Sequence, residues 1–117
     1  MTPHARMRRV VLALACMAAL LWTAAPSSAT TKLVKIVKNT STNKFQYSPA
    51  IITIVHGTAV EWTNTTKVKH TVTFTNGATY NKTLLPGQSV FRTFNVKGTL
   101  FYHCLIHTYM KGKVTVT

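Results

Sequence analysis

Alternation of side-chain character, with no helical period to compete with it, is the feature that most restricts how this chain folds. Beyond residue 31, β-branched and aromatic residues recur at alternate positions, and no segment repeats apolar residues three and four apart as an amphipathic helix requires. The pattern predicts strands at Lys32–Lys38, Ile51–Val55, Ala59–Asn64, Val68–Thr75, Ser89–Val96, Gly98–Cys104 and Lys113–Thr117. Turn signals separate them: the polar run Asn39 to Asn43, then Ser48-Pro49, His56-Gly57, Asn76-Gly77, Pro86-Gly87 and Lys97-Gly98. About seven short strands at this spacing predict an all-β domain, a β-sandwich.

The first 29 residues follow a different plan. Arg6, Arg8 and Arg9 open it, an apolar run extends from Val10 to Trp22, and Pro26, Ser27, Ser28 and Ala29 close it. That is the layout of a secretory signal cleaved after Ala29. The 13-residue run is shorter than the roughly 20 residues that span a bilayer. Arg8-Arg9 faintly resembles a twin-arginine signal, although Met7 stands where Ser or Thr is usual. A lipoprotein anchored at Cys16 would keep most of the apolar run attached and is disfavoured. The expected organisation is a signal at 1–29 and one domain at 30–117, exported to the periplasm or another extracytoplasmic space, with no integral membrane segment after cleavage. A domain of 88 residues is marginal on core burial alone, so a bound metal would help it.

Inventory narrows the chemistry. The expected domain holds one cysteine, Cys104, and one methionine, Met110, so no internal disulfide forms despite an export route that permits one. It has no Asp, and Glu61 is its only carboxylate side chain. Paired-carboxylate glycosidase chemistry and Ser/His/Asp triads are thereby excluded. Eleven Lys and Arg remain against that one carboxylate, and a surface so basic steers towards anionic partners. The lysines are scattered and no nucleic-acid motif accompanies them, so a solvated basic face explains them as well as docking does.

Near the C-terminus, "YHCLIHTYMKGKV" sets Cys104, His107 and Met110 three residues apart. Leu100, Tyr102 and Cys104 share one face of their strand, which sends the thiol inward at its end. In "KVKHTVTF" the residues Val68, His70, Val72 and Phe74 share the inner face, and Lys67, Lys69, Thr71 and Thr73 the outer one. An inward histidine by itself reads as a core imidazole bonded to a backbone carbonyl. With no Asp to partner it, a metal is the better candidate. Thiolate and thioether suit soft Cu(I), imidazole suits both copper states, and two His with one Cys and a weak axial Met form the blue-copper arrangement. Zinc gains little from a thioether. One cysteine is too few for an iron–sulfur cluster, and C-x-x-C-H for c-type haem is missing.

From Phe45 onward the chain resembles the small blue copper proteins, the plastocyanin/pseudoazurin/amicyanin group of cupredoxins. The resemblance rests on "FQYSPAIITIVHGTAVEWTN", on "HTVTF" and on "YHCLIHTYMKGKVTV", whose C-x-x-H-x-x-M spacing is similar to amicyanin's. It implies a Greek-key β-sandwich of about seven to eight strands, with His70, Cys104 and His107 as equatorial ligands and Met110 as the axial ligand of one type 1 copper ion. It implies a monomeric electron carrier, not an enzyme, that serves redox proteins with acidic docking surfaces, such as a dehydrogenase, cytochrome or oxidase. A copper carrier or store without redox turnover would use the same ligands. His107 is the implied exit for electrons, within an apolar patch of Leu105, Ile106 and Tyr109. Two departures stand out. Thr71 occupies a position that is commonly Asn, whose side chain ties the ligand loops together, and Ile106 and Thr108 replace prolines that flank the second histidine. His56 and His103 are expected at the surface, and Trp62, Phe45, Phe74 and Phe94 in the core.

Overall fold

In the computed structural model, residues 30–76 and 79–117 are described, and the expected signal lies outside them. Nine strands occur there: β1 (Thr31–Asn39), β2 (Lys44–Ser48), β3 (Ile51–Ile54), β4 (Thr58–Asn64), β5 (His70–Phe74), β6 (Tyr80–Leu84), β7 (Ser89–Phe94), β8 (Gly98–His103) and β9 (Lys111–Val116). They form two sheets, ordered β2-β1-β4-β7 and β3-β9-β8-β5-β6. Both sheets are mixed, because β1 runs parallel to β4 and β3 parallel to β9. Among the described residues no helix is long and apolar enough to cross a membrane.

The expected strands are all present, and two more join them. The additional strands, β2 and β6, are both sheet edges. In each, only one residue is fully buried, Tyr47 and Leu84 respectively. An edge strand covered on part of one face carries almost no alternation, so its sequence reads as loop.

β4 shows the opposite case, with every second residue from Thr58 to Asn64 buried. Its Trp62 stands edge-on to Tyr102, Phe74 and Phe94 at centroid distances of 5.5, 5.9 and 6.4 Å, joining the two sheets through aromatic contacts. The Arg92 guanidinium lies 4.5 Å from the Phe74 ring and 4.8 Å from that of Phe94, closing one side of this cluster. Between β6 and β7, Gln88 N–H donates to Leu85 C=O at 3.0 Å, and Gly87 has φ +84°. With Pro86 before it, that is a type II turn, whose third position needs the left-handed backbone that glycine adopts freely.

The outer-face assignment for β5 needs correction. Thr71 and Thr73 are buried, and Val68 is exposed because the strand begins only at His70. Both faces of β5 are covered: the core lies on one, and the loop after β8 folds over the other. Strand pairing also fixes where the chemistry sits. β1, β4 and β8 finish, and β2, β5, β7 and β9 begin, at one end of the sandwich. His70, Cys104 and Met110 all lie at that end.

Candidate metal centre

His70 is the first residue of β5, Cys104 directly follows β8, and Met110 directly precedes β9. The intervening loop closes on itself through Met110 N–H donating to His107 C=O at 2.8 Å and Cys104 N–H donating to Met110 C=O at 3.2 Å. This closure explains the even spacing: one turn, His107 to Met110, returns the chain to the strand end, with His107 as its first residue. The ligating atoms of His70, Cys104 and His107 lie within 4.8 Å of one another. His70, Cys104 and Met110 are buried, and His107 is half-buried.

Hydrogen bonds orient the first histidine. Asn64, fully buried at the end of β4, donates through Nδ2 to Val68 C=O at 2.7 Å and Leu84 C=O at 3.0 Å. Its Oδ1 accepts from the Thr66 hydroxyl at 2.7 Å, and Thr66 Oγ1 lies 2.9 Å from His70 Nε2. Since the hydroxyl proton is committed to Asn64, His70 Nε2–H is the donor to Thr66. His70 Nδ1 is then a bare lone pair, buried and without a hydrogen-bond partner among the described residues. Such an orphan costs stability unless a cation takes it.

The sulfur is held in place as well. Cys104 Sγ accepts N–H groups from Thr71 at 3.3 Å and His107 at 3.4 Å, which fix its position between β5 and the loop. It stands 4.0 Å from His107 Nδ1. That separation suits two donors sharing one ion, since each sits about 2.0–2.3 Å from a first-row metal. The donor set, two imidazoles and a thiolate with a thioether in the same loop, fits one type 1 copper ion.

Thr71 performs the task expected of Asn. Its hydroxyl accepts Leu105 N–H at 2.8 Å, tying β5 to the ligand loop, and it also meets the Thr73 hydroxyl at 3.0 Å. The Tyr47 hydroxyl secures the same residue by donating to Thr71 C=O at 2.6 Å. Thr71→Val should therefore strand the Leu105 amide and lower stability by about 1–3 kcal/mol. A lower urea midpoint at an unchanged m-value, in copper-free protein, checks this.

Phe45, expected only as core, belongs to the site. Its ring lies 4.7 Å from that of His70 and 4.8 Å from that of His107. Tyr109 flanks His107 on another side at 6.1 Å, and its hydroxyl accepts Phe45 N–H at 3.1 Å. Leu105, Ile106 and Tyr109 are exposed as expected, and Ile106 and Thr108 stand exposed beside His107 in place of prolines. Trp62, Phe74 and Phe94 are buried as expected. His56 is exposed, with Nδ1 3.0 Å from Thr117 C=O, and His103 is half-buried in β8, outside the donor cluster.

Burial, with His107 nearby, pushes the His70 imidazole down from its ordinary 6.5 to about 4 in the metal-free protein. Below pH 6.5 the unfolded chain then binds a proton that the folded one refuses. Stability of the copper-free protein should hold above pH 6.5 and fall as the pH drops towards 4. Urea midpoints across that range should show the fall, and His70→Gln should flatten it.

The sequence and the fold match known proteins. The family described as "Cupredoxin-like domain" matches residues 10–116. The chain belongs to that family. Among relatives of this cupredoxin, amicyanin-alpha of Methylorubrum extorquens is 37% identical over 78 residues, covering 62% of this chain and 66% of the relative. Amicyanin of Paracoccus versutus is 33% identical over 78 residues, covering 62% of this chain and 59% of the relative. The chain thus spans under two thirds of each relative's length. A solved oxidised variant of amicyanin superposes with a TM-score of 0.65 at 28% identity, covering 74% of this chain and 82% of the other. A Cu(I) form of another amicyanin variant gives 0.67 at 28% identity, over 77% and 85%. The resemblance to small blue copper proteins, and among them to amicyanin, is borne out.

Proposed function

We propose that this cupredoxin carries single electrons between redox proteins outside the cytoplasm, using one copper ion held by His70, Cys104, His107 and Met110. The observation that supports it most is His70 Nδ1, a buried lone pair with no hydrogen-bond partner among the described residues, grouped with Cys104 Sγ and the His107 imidazole. Bound copper supplies a one-electron couple between Cu(II) and Cu(I). The protein's part is to hold the donors still. Asn64 and Thr66 lock the His70 ring, two amides hold the sulfur, and the Thr71–Leu105 bond fixes the distance between loop and strand. Donors that do not move keep the reorganisation on electron transfer small. Phe45 screens the centre from water, while the half-buried His107 offers the shortest route to a partner.

This reading assigns no enzymatic activity, because the four ligands leave no position for a substrate. It takes the protein as a monomer and residues 1–29 as a signal, so sequencing of the exported protein should begin at Thr30. The purified protein with Cu(II) should be intensely blue, with narrow parallel hyperfine splitting and a reversible one-electron wave. A colourless copper form, or a blue one with no reversible couple, overturns electron carriage. Met110→Leu should keep the colour and raise the potential, because the oxidised ion loses its weak axial donor while core volume is conserved.

A further inference from the structure

We infer that a groove beside the copper centre seats a carboxylate side chain of an acidic redox partner; this rests on the electron-carrier reading above and gives that partner a specific foothold. The groove lies between the end of β1, the start of β2 and the loop leading into β5. Lys38, Phe45, Thr65, Thr66, Lys67 and Val68 line about 310 Å³ of it. Lys38 Nζ overhangs the Phe45 ring at 5.8 Å, so a positive charge is held over the floor, and the exposed Lys67 lines the same groove. The chain offers, among its described residues, no acidic side chain beside them. It contains no Asp, and its one Glu, Glu61, sits inside β4 with its carboxylate 3.4 Å from the Thr63 hydroxyl.

What lies beneath distinguishes this groove from a generally basic surface. Its floor, Phe45, touches the rings of both His70 and His107. Its wall residue Thr66 is bonded to His70 Nε2 at 2.9 Å, so one hydroxyl connects a fully buried ligand to the groove. A carboxylate paired with Lys38 and Lys67 would bring the partner to within one aromatic ring of both histidines. It would also orient the partner across the exposed edge of His107. Lys32 and Lys97, at the start of β1 and between β7 and β8, belong to the other end and provide a charge-matched control.

The test is a titration of isotopically labelled protein, copper-free and Cu(I)-loaded, with hexaglutamate at an ionic strength of about 10 mM, where charges reach about 30 Å. Amide shifts should centre on Phe45, Thr65, Thr66 and Val68. The double variant K38E/K67E should bind roughly tenfold or more weakly, while K32E/K97E, with the same change in net charge, should differ by less than about twofold. Shifts centred elsewhere, or equal losses in the two double variants, overturn the groove. Both variants should keep the intense Cu(II) absorption. Colour without groove binding therefore refutes the docking site alone, whereas a colourless parent protein refutes the carrier reading.

Discussion

Replacing Cys104 with serine should abolish the blue absorption and weaken copper binding by at least roughly 100-fold, beyond the 10–100-fold usual for losing a supporting hydrogen bond. Cys104 is the only cysteine in residues 30–117, so no second soft anionic donor can take over. A hydroxyl oxygen is harder, and the amides of Thr71 and His107, 3.3 and 3.4 Å from the sulfur, are placed for the longer reach of a thiolate. Serine also leaves two histidines and a thioether, a set without negative charge to balance the ion. Its Cu(II) form should be pale, with the broad hyperfine pattern of ordinary tetragonal copper. Visible absorption, paramagnetic resonance and a competition titration check all three points. Persistence of the full blue colour in this variant would mean that sulfur is not a ligand. Thr71→Val serves as the internal control. It loosens the loop while keeping the thiolate, so its colour should persist.

The grouping of His70, Cys104 and His107 was legible because it needs only types and spacing, and the same spacing proposes Met110 as the fourth donor. One Cys and one Met outside the first 29 residues, and no Asp, left the histidines few alternatives. His70 was readable as inward because period-two geometry holds within a strand. The same rule misplaced Val68, which lies before β5 begins, and Thr71, whose strand is covered on both faces. Coverage by a distant loop leaves no trace in local alternation. Residue type misled in a similar way at Thr71: a missing Asn suggested a missing tie, yet a threonine hydroxyl reaches Leu105 N–H at 2.8 Å. Thr66 and Asn64 were silent for another reason. Asn64-Thr65-Thr66 reads as a glycosylation sequon, whereas Asn64 is fully buried with its amide spent on the loop that aims His70. Phe45 looked like core because an aromatic in a strand usually is. Only the fold shows that its ring faces both His70 and His107.

Gly112→Ala should be the most damaging small change outside the proposed ligands, lowering stability by roughly 3 kcal/mol or more, at the upper end of what overpacking a core costs. The expectation runs against the ordinary trend, since alanine in a strand interior is favoured over glycine by about 0.5–1 kcal/mol. Gly112 lies opposite Tyr102 across the β8–β9 ladder, and a methyl group there would overlap Cζ, Oη and Cε1 of the Tyr102 ring. The ring has nowhere to go. It is 1% exposed and held by Tyr47 at 4.6 Å, Phe74 at 5.0 Å and Trp62 at 5.5 Å. Displacing it would disturb Cys104 two residues along, so the damage should also appear as altered hyperfine splitting in whatever copper form survives. A double-mutant cycle separates the clash from any backbone effect. In a Tyr102→Leu background the overlapping ring atoms are gone, so adding Gly112→Ala should cost under about 1 kcal/mol. An equally large penalty in both backgrounds would show that the backbone at Gly112, not the aromatic cluster lying over it, demands glycine.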